Sequence, residues 1–169
     1  MDQHCFRHIV VMGVSGSGKT TVGEALSPLV GLEYRDGDDM HPQANIDKMA
    51  AGIPLNDADR EPWLKKIGQW LADRPEGAMV GCSALKRKYR DLIREYCPAV
   101  VFVHVHGDFD VLHERMQHRP GHFMPASLLQ SQFDTLEPLE EDETGRVFDV
   151  TRPVEEIAQE AAAWIKAGA

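Results

Sequence analysis

Eight consecutive residues, Gly13-Val14-Ser15-Gly16-Ser17-Gly18-Lys19-Thr20, fit the pattern G-x-x-x-x-G-K-[ST] at every defined position. Glycines at 13, 16 and 18 let the backbone curl until successive N–H groups point into one concavity. A helix starting there adds its free N–H groups and the positive end of its dipole, so a polyphosphate is favoured. Lys19 is placed to reach the outer phosphates, and the Thr20 hydroxyl to ligate Mg²⁺. A bare Gly/Ser turn would not need Lys and Thr at these two places.

A second group follows at Asp36-Gly37-Asp38-Asp39. In an extended segment residues two apart point the same way, so Asp36 and Asp38 are expected to present two carboxylates together at the carboxyl end of a strand. Alone, this would be a solvated Asp-Gly turn. Beside a phosphate loop it supplies what Mg²⁺·nucleotide chemistry requires: one carboxylate near the metal and one near the attacking hydroxyl. Spacing does not say which is which.

Basic residues come next. Asn45 and Lys48 are three apart, neighbours on one face of a helix that His41-Pro42 introduces. Lys86, Arg90 and Arg94 recur every four residues and share a face, which suits a solvated basic surface, a nucleic-acid patch or an anion pocket. Arg115 and Arg119 share another helix face and lead into Pro120-Gly121-His122-Phe123-Met124-Pro125, the pattern of a lid closing on phosphates. His104 and His106 lie on one side of a strand and lack a third metal ligand nearby, so they read as strand-end histidines.

The elements needed to position these groups alternate. Strands are expected at Arg7–Met12, Leu32–Arg35, Ala78–Cys82, Val100–Val105 and Arg146–Val150. Helices are expected at Lys19–Val30, after Pro42, and after Asp57 or Asp59 as a cap with Pro62 in the first turn. Further helices are expected after Ser83 and Asp108 as caps, and at Ala126–Leu136 and Pro153–Lys166. Trp63, Leu64, Ile67, Trp70 and Leu71 form an apolar stripe that belongs to a core. The acidic Glu137–Glu143 stretch is expected to be a solvated loop away from the site. Such alternation implies an α/β fold, one parallel sheet of about five strands covered on both faces.

The chain has 169 residues, enough for one domain, with a lid region near 115–135. A net charge of −9 repels nucleic acid and anionic membrane, which disfavours the nucleic-acid option for the basic run. Three cysteines, Cys5, Cys82 and Cys97, show no metal-ligand spacing and point to a reducing, cytoplasmic setting. Residues 1–8 lack the apolar stretch of a signal peptide, and no run approaches a membrane span. No Asn-Lys-x-Asp guanine motif is present, which argues against a GTPase switch.

Four blocks together resemble the gluconokinase family of small P-loop kinases: residues 13–20, Asp36-Gly37-Asp38-Asp39-Met40-His41-Pro42-Gln43-Ala44-Asn45-Ile46-Asp47-Lys48-Met49, Cys82-Ser83-Ala84-Leu85-Lys86-Arg87-Lys88-Tyr89-Arg90-Asp91, and Gly121-His122-Phe123-Met124. The linking Pro54-Leu55-Asn56-Asp57, Asp59-Arg60 and Pro62-Trp63-Leu64 fit as well. The resemblance implies a nucleoside-kinase-like three-layer fold, a homodimer, and ATP- and Mg²⁺-dependent phosphorylation of D-gluconate at its terminal hydroxyl. It places ATP on Gly13, Val14, Ser15, Gly16, Ser17, Gly18, Lys19 and Thr20, with Arg115 and Arg119 closing over it. Mg²⁺ falls to Thr20 and Asp36, and catalysis to Lys19, Asp38 and Arg119. Gluconate, a carboxylate with a chain of hydroxyls, would draw on Asp38, His41, Asn45, Lys48, Arg60, Lys86, Arg90 and His122. The nearest rival is another small-acceptor kinase, for shikimate or a nucleoside monophosphate.

Overall fold

The computed structural model describes residues 6–14, 16–118 and 126–168. The chain runs β1 (His8–Met12), α1 (Lys19–Val30), β2 (Tyr34–Asp36), a 3-10 turn (Gly37–Met40), α2 (Gln43–Ala50) and α3 (Asp57–Ala72). It continues through β3 (Ala78–Gly81), α4 (Arg87–Tyr96), β4 (Val101–His106), α5 (Phe109–Gln117), α6 (Ala126–Thr135), β5 (Gly145–Asp149) and α7 (Val154–Ala167). The five strands form one sheet in the order β2-β3-β1-β4-β5, every neighbouring pair parallel. β1 is central, and the chain crosses it between β3 and β4. The loop leaving β1 therefore opens at the switch point where parallel sheets bind ligands.

Burial on both faces explains the uninterrupted apolar strands. Ile9 and Val11 point into a core shared with Val22, Leu26, Ile157 and Ile165 of α1 and α7. Val10 and Met12 point into the opposite core, with Trp63, Ile67 and Ile93 of α3 and α4. Among the described residues no helix is long and apolar enough to cross a membrane.

Several element starts differ from expectation, each for a local reason. β2 begins at Tyr34 because the end of α1 extends: Gly31 adopts φ 69°, and the Gly31 and Leu32 N–H groups both donate to Ser27 O. Asn56, not Asp57 or Asp59, caps α3. Its side chain accepts from Asp59 N–H at 2.8 Å, while the Asp59 carboxylate accepts from Asn56 N–H at 3.0 Å. Pro62 consequently lies inside that helix. Pro42 stands just before α2, at its cap. Ser83 does not cap α4, which starts only at Arg87; the intervening loop bends through Ala84 at φ 46°. Asp108 occupies the cap position of α5 without a side-chain hydrogen bond.

Candidate active site

The phosphate loop is shaped by what its glycines exclude. Gly13 has φ 154°, and a Cβ there would lie 2.5 Å from Val105 O and 2.6 Å from Ser17 Oγ. Gly18 has φ 94° and leads directly into α1, whose first amides face the loop. Lys19 Nζ lies across the loop, donating to Gly13 O at 2.9 Å and Val14 O at 3.2 Å. Burial lowers its pKa, opposed by Asp38, Cys82 and Asp36. The Ser17 hydroxyl is buried without a partner among the described residues, which suits a loop built around a polar ligand.

Thr20 Oγ1 lies 3.5 Å from Asp36 Oδ2 and 3.3 Å from the Tyr34 hydroxyl. Two hard oxygens this close suit Mg²⁺. The Tyr34 ring fits against Gly23 and Gly81, where a Cβ at either glycine would collide with it. Asp36 and Asp38 do come together, but not through the pleat of a strand. Asp36 ends β2 and caps the 3-10 turn, its Oδ1 accepting from Asp38 N–H at 2.9 Å. The turn carries the Asp38 carboxylate to within 4.0 Å of His41 Nε2. Water reaches 79% of the Asp38 side chain. Even so, its recessed position, then the Asp36 charge, raises its pKa against the pull of Lys19.

Beyond Asp38 lies a polar cluster built from α2, α3 and α4. The His41 ring stacks on Trp63, centroids 4.1 Å apart and planes 16° apart. Trp63 Nε1–H in turn donates to Gly37 O at 2.8 Å, so this core tryptophan also supports the turn and the histidine. Asn45 Nδ2 donates to His41 Nδ1 at 3.1 Å and to Asp59 O at 2.9 Å. This leaves the hydrogen on Nε2, facing Asp38. Burial, then Arg60, lowers the His41 pKa, so the ring is neutral at pH 7. Lys48 Nζ is paired with Asp59 at 2.7 Å. Lys86 Nζ lies 3.6 Å from the Asp57 carboxylate, which also takes bonds from Lys88 and the Tyr89 hydroxyl. Those two hydrogen bonds hold Asp57 well below the usual carboxylate range. Arg60 donates to the Tyr89 hydroxyl at 3.2 Å and forms no ion pair among the described residues.

Arg90 does not join this cluster. It is wholly buried, donating through Nε and Nη2 to Glu143 at 2.7 and 2.9 Å and through Nη1 to Ala84 O at 2.9 Å. Arg94 adds a 2.5 Å bond to the same carboxylate, and Arg87 is bidentate to Asp142 at 2.8 and 3.0 Å. The basic face of α4 is thus neither solvated nor an anion pocket; the 137–143 loop, expected to be solvated, covers it. Burial of Glu143 works against ionisation, but the bonds from Arg90 and Arg94 outweigh it and bring the pKa to about 2. A folded-state pKa below the ordinary 4.5 stabilises the protein above pH 4.5, and that contribution disappears as pH falls toward 2. Glu143→Gln should therefore flatten the stability curve between those limits by roughly 3 kcal/mol, measured by denaturant unfolding at each pH.

On the opposite side of the phosphate loop a cavity of about 670 Å³ is lined by Gly18, Thr21, Arg115, His118, Val150 and Val154, among others. Arg115 Nη2 donates to Val150 O at 2.8 Å, which sets the guanidinium at its wall. The His104 ring is buried beside His106, its two nitrogens without a hydrogen-bond partner among the described residues, and burial, then His106, Arg90 and Lys19, lowers its pKa to about 4. No group of three metal-ligating side chains occurs among the described residues. Cys82 is buried, which pushes its thiol up to about 12. Ser15, Arg119 and His122, with the Gly121–Met124 block, lie outside the described residues. Sequence reasoning passed over Tyr34, Trp63, Tyr89, Asp57, Asp59 and Glu143 as parts of the site or its supports. Of these only the Asn56-x-x-Asp59 capping spacing carried a readable signal.

Comparison with known proteins agrees with this geometry. A family model described as an AAA domain matches residues 9–124. The thermosensitive gluconokinase of Escherichia coli (strain K12) is 43% identical over 155 residues, covering 89% of this chain and 83% of its own. The gluconokinase of Gluconobacter oxydans (strain 621H) is 49% identical over 140 residues, covering 81% and 79%. The crystal structure of a gluconokinase from Sinorhizobium meliloti 1021 superposes with a TM-score of 0.88 at 52% identity, covering 96% of this chain and 93% of that one. With identity this high over nearly the whole sheet and the phosphate loop, the chain belongs to the gluconokinase family.

Proposed function

We propose that the chain transfers the γ-phosphoryl group of ATP to the terminal hydroxyl of D-gluconate, giving 6-phosphogluconate and ADP. One juxtaposition supports this most strongly. Lys19, Thr20 and Asp36 stand on the phosphate side, and beside them Asp38 and His41 begin a polar cluster in which Arg60 is the cation without an ion pair among the described residues.

Bound Mg²⁺ would draw the phosphate oxygens together and offset their charge. Thr20 and Asp36 would hold it. The loop amides and Lys19 hold the triphosphate. Asp38 orients the acceptor hydroxyl and takes its proton as the new O–P bond forms and the bond to the β-phosphate oxygen breaks. His41 donates from Nε2 to an acceptor hydroxyl, with Asn45 fixing the ring. Arg115 lines the nucleotide side, and Arg119 closes from a lid near 115–135 within a single kinase domain. Lys48 and Lys86 already face Asp59 and Asp57, and Arg90 is consumed by Glu143, so Arg60 meets the sugar-acid carboxylate. His122 contributes from the lid. The resemblance further supports a homodimer working in the cytoplasm.

Arg60→Met should raise the KM for gluconate about 10- to 100-fold, the loss of one charge-assisted bond, while the KM for ATP stays within about twofold. Steady-state kinetics with each substrate varied checks this. The function itself is tested by ADP release across gluconate, shikimate and nucleoside monophosphates. Consumption of ATP with gluconate is expected; preference for either other acceptor would overturn the reading.

A further inference from the structure

The buried ion pair of α4 does more than fill the core. Arg90 Nη1–H reaches Ala84 O in the 82–86 loop, and its Nη2–H reaches Pro138 O at 3.3 Å. The same two segments are tied again beside it. Glu137 N–H donates to Leu85 O at 2.7 Å, and the Glu137 carboxylate accepts from Arg87 N–H at 2.9 Å. Glu143 also accepts from Glu140 N–H at 3.0 Å, which closes the 137–143 loop on itself.

The 82–86 loop is the one most in need of such support. Ala84 carries a side chain at φ 46°, a conformation it would not hold unaided. Ser83 O accepts from Gly13 N–H at 3.4 Å, so the loop touches the start of the phosphate loop. Lys86, at its end, faces Asp57 in the acceptor cluster. On the other side, the 137–143 loop leaves α6 after one further residue, Leu136, whose N–H donates to Gln132 O.

The geometry points to Arg90, held by Glu143, as a positioning residue for the acceptor site: it fixes the strained 82–86 loop against the segment leaving α6 and so sets where Lys86 and the acceptor wall stand. Only the kinetic consequence rests on the gluconate reading above. A guanidinium that merely filled space could be exchanged, together with Glu143, for apolar side chains of similar volume without loss, since a buried ion pair often gives no more stability than a hydrophobic replacement.

That exchange is the test. Glu143→Gln and the double variant Arg90→Met/Glu143→Leu are compared with the unmodified chain by melting, amide hydrogen exchange without any substrate, and kinetics. The double variant keeps the fold measurable where the single one is destabilised. We expect exchange of the Arg87 and Glu137 amides, which tie the 82–86 loop to the segment leaving α6, to accelerate at least about tenfold in both variants, and the KM for gluconate to rise about tenfold while that for ATP stays within about twofold. A folded double variant with unchanged protection of the Arg87 and Glu137 amides and unchanged KM for gluconate would reduce the pair to packing, and equal changes in both KM values would refute a local role. If the unmodified chain ignores gluconate, the proposed function fails, whereas the exchange result still decides whether Arg90 orders the loop.

Discussion

Lys19→Ala should lower kcat by about 10³-fold, the cost typical of losing one preorganised donor to developing charge. Lys19 Nζ sits across the loop with the Gly13 and Val14 carbonyls as its hydrogen-bond partners among the described residues. Its removal therefore deprives no buried partner of a counter-charge, and the melting temperature should move by no more than a few degrees. The KM for ATP should rise less than kcat falls, because the loop amides still hold the phosphates. A coupled assay and a thermal melt on the same preparation separate the two effects. A variant retaining turnover within tenfold of the unmodified chain would remove Lys19 from the mechanism.

Asp38→Asn should cost between about 10² and 10⁴ in kcat, the range for a positioned general base, with ATP affinity left nearly unchanged. The pH dependence adds a sign. The Asp38 pKa is raised, and the base works only when ionised, so turnover falls as pH drops through that raised value. The acid limb of kcat/KM, which reports the free enzyme, should thus lie above that of an ordinary aspartate in the unmodified chain and vanish from what activity remains in Asp38→Asn. Calorimetric titration with a non-hydrolysable ATP analogue and a pH–rate profile check both halves. An unshifted acid limb shared by both proteins would assign the proton transfer elsewhere.

What could be read in the sequence was what is local in the chain. Residues 13–20 make their site from consecutive backbone, so pattern and geometry are nearly the same statement. Apolar runs 8–12 and 101–106 became central strands because both faces of the sheet are covered. Asp36 and Asp38 were correctly paired for the wrong physical cause: a capped 3-10 turn, not alternation along a strand, brings them together. Their separate partners, Thr20 for one and His41 for the other, depend on that turn and were invisible to spacing. The four-residue recurrence gave Arg90 and Arg94 a common face of α4, but Lys86 stands before the helix in extended backbone and turns to Asp57 instead. What that face meets is decided 53 residues later, at Glu143, by the path of an irregular loop. A list of basic residues therefore mistook a structural arginine for a substrate ligand. Arg60 stood out only after every other cation in the cluster had been matched to a carboxylate.

The most direct test is the structure of the product. Unmodified protein, ATP, Mg²⁺ and D-gluconate labelled with ¹³C at its terminal carbon are followed by ¹³C and ³¹P NMR. Arg60 at the carboxylate and Asp38 at the far hydroxyl require one phosphomonoester, its phosphorus coupled to the labelled carbon. A phosphate on any other carbon, or ATP consumed with the sugar acid left intact, would contradict an acceptor held by those two residues.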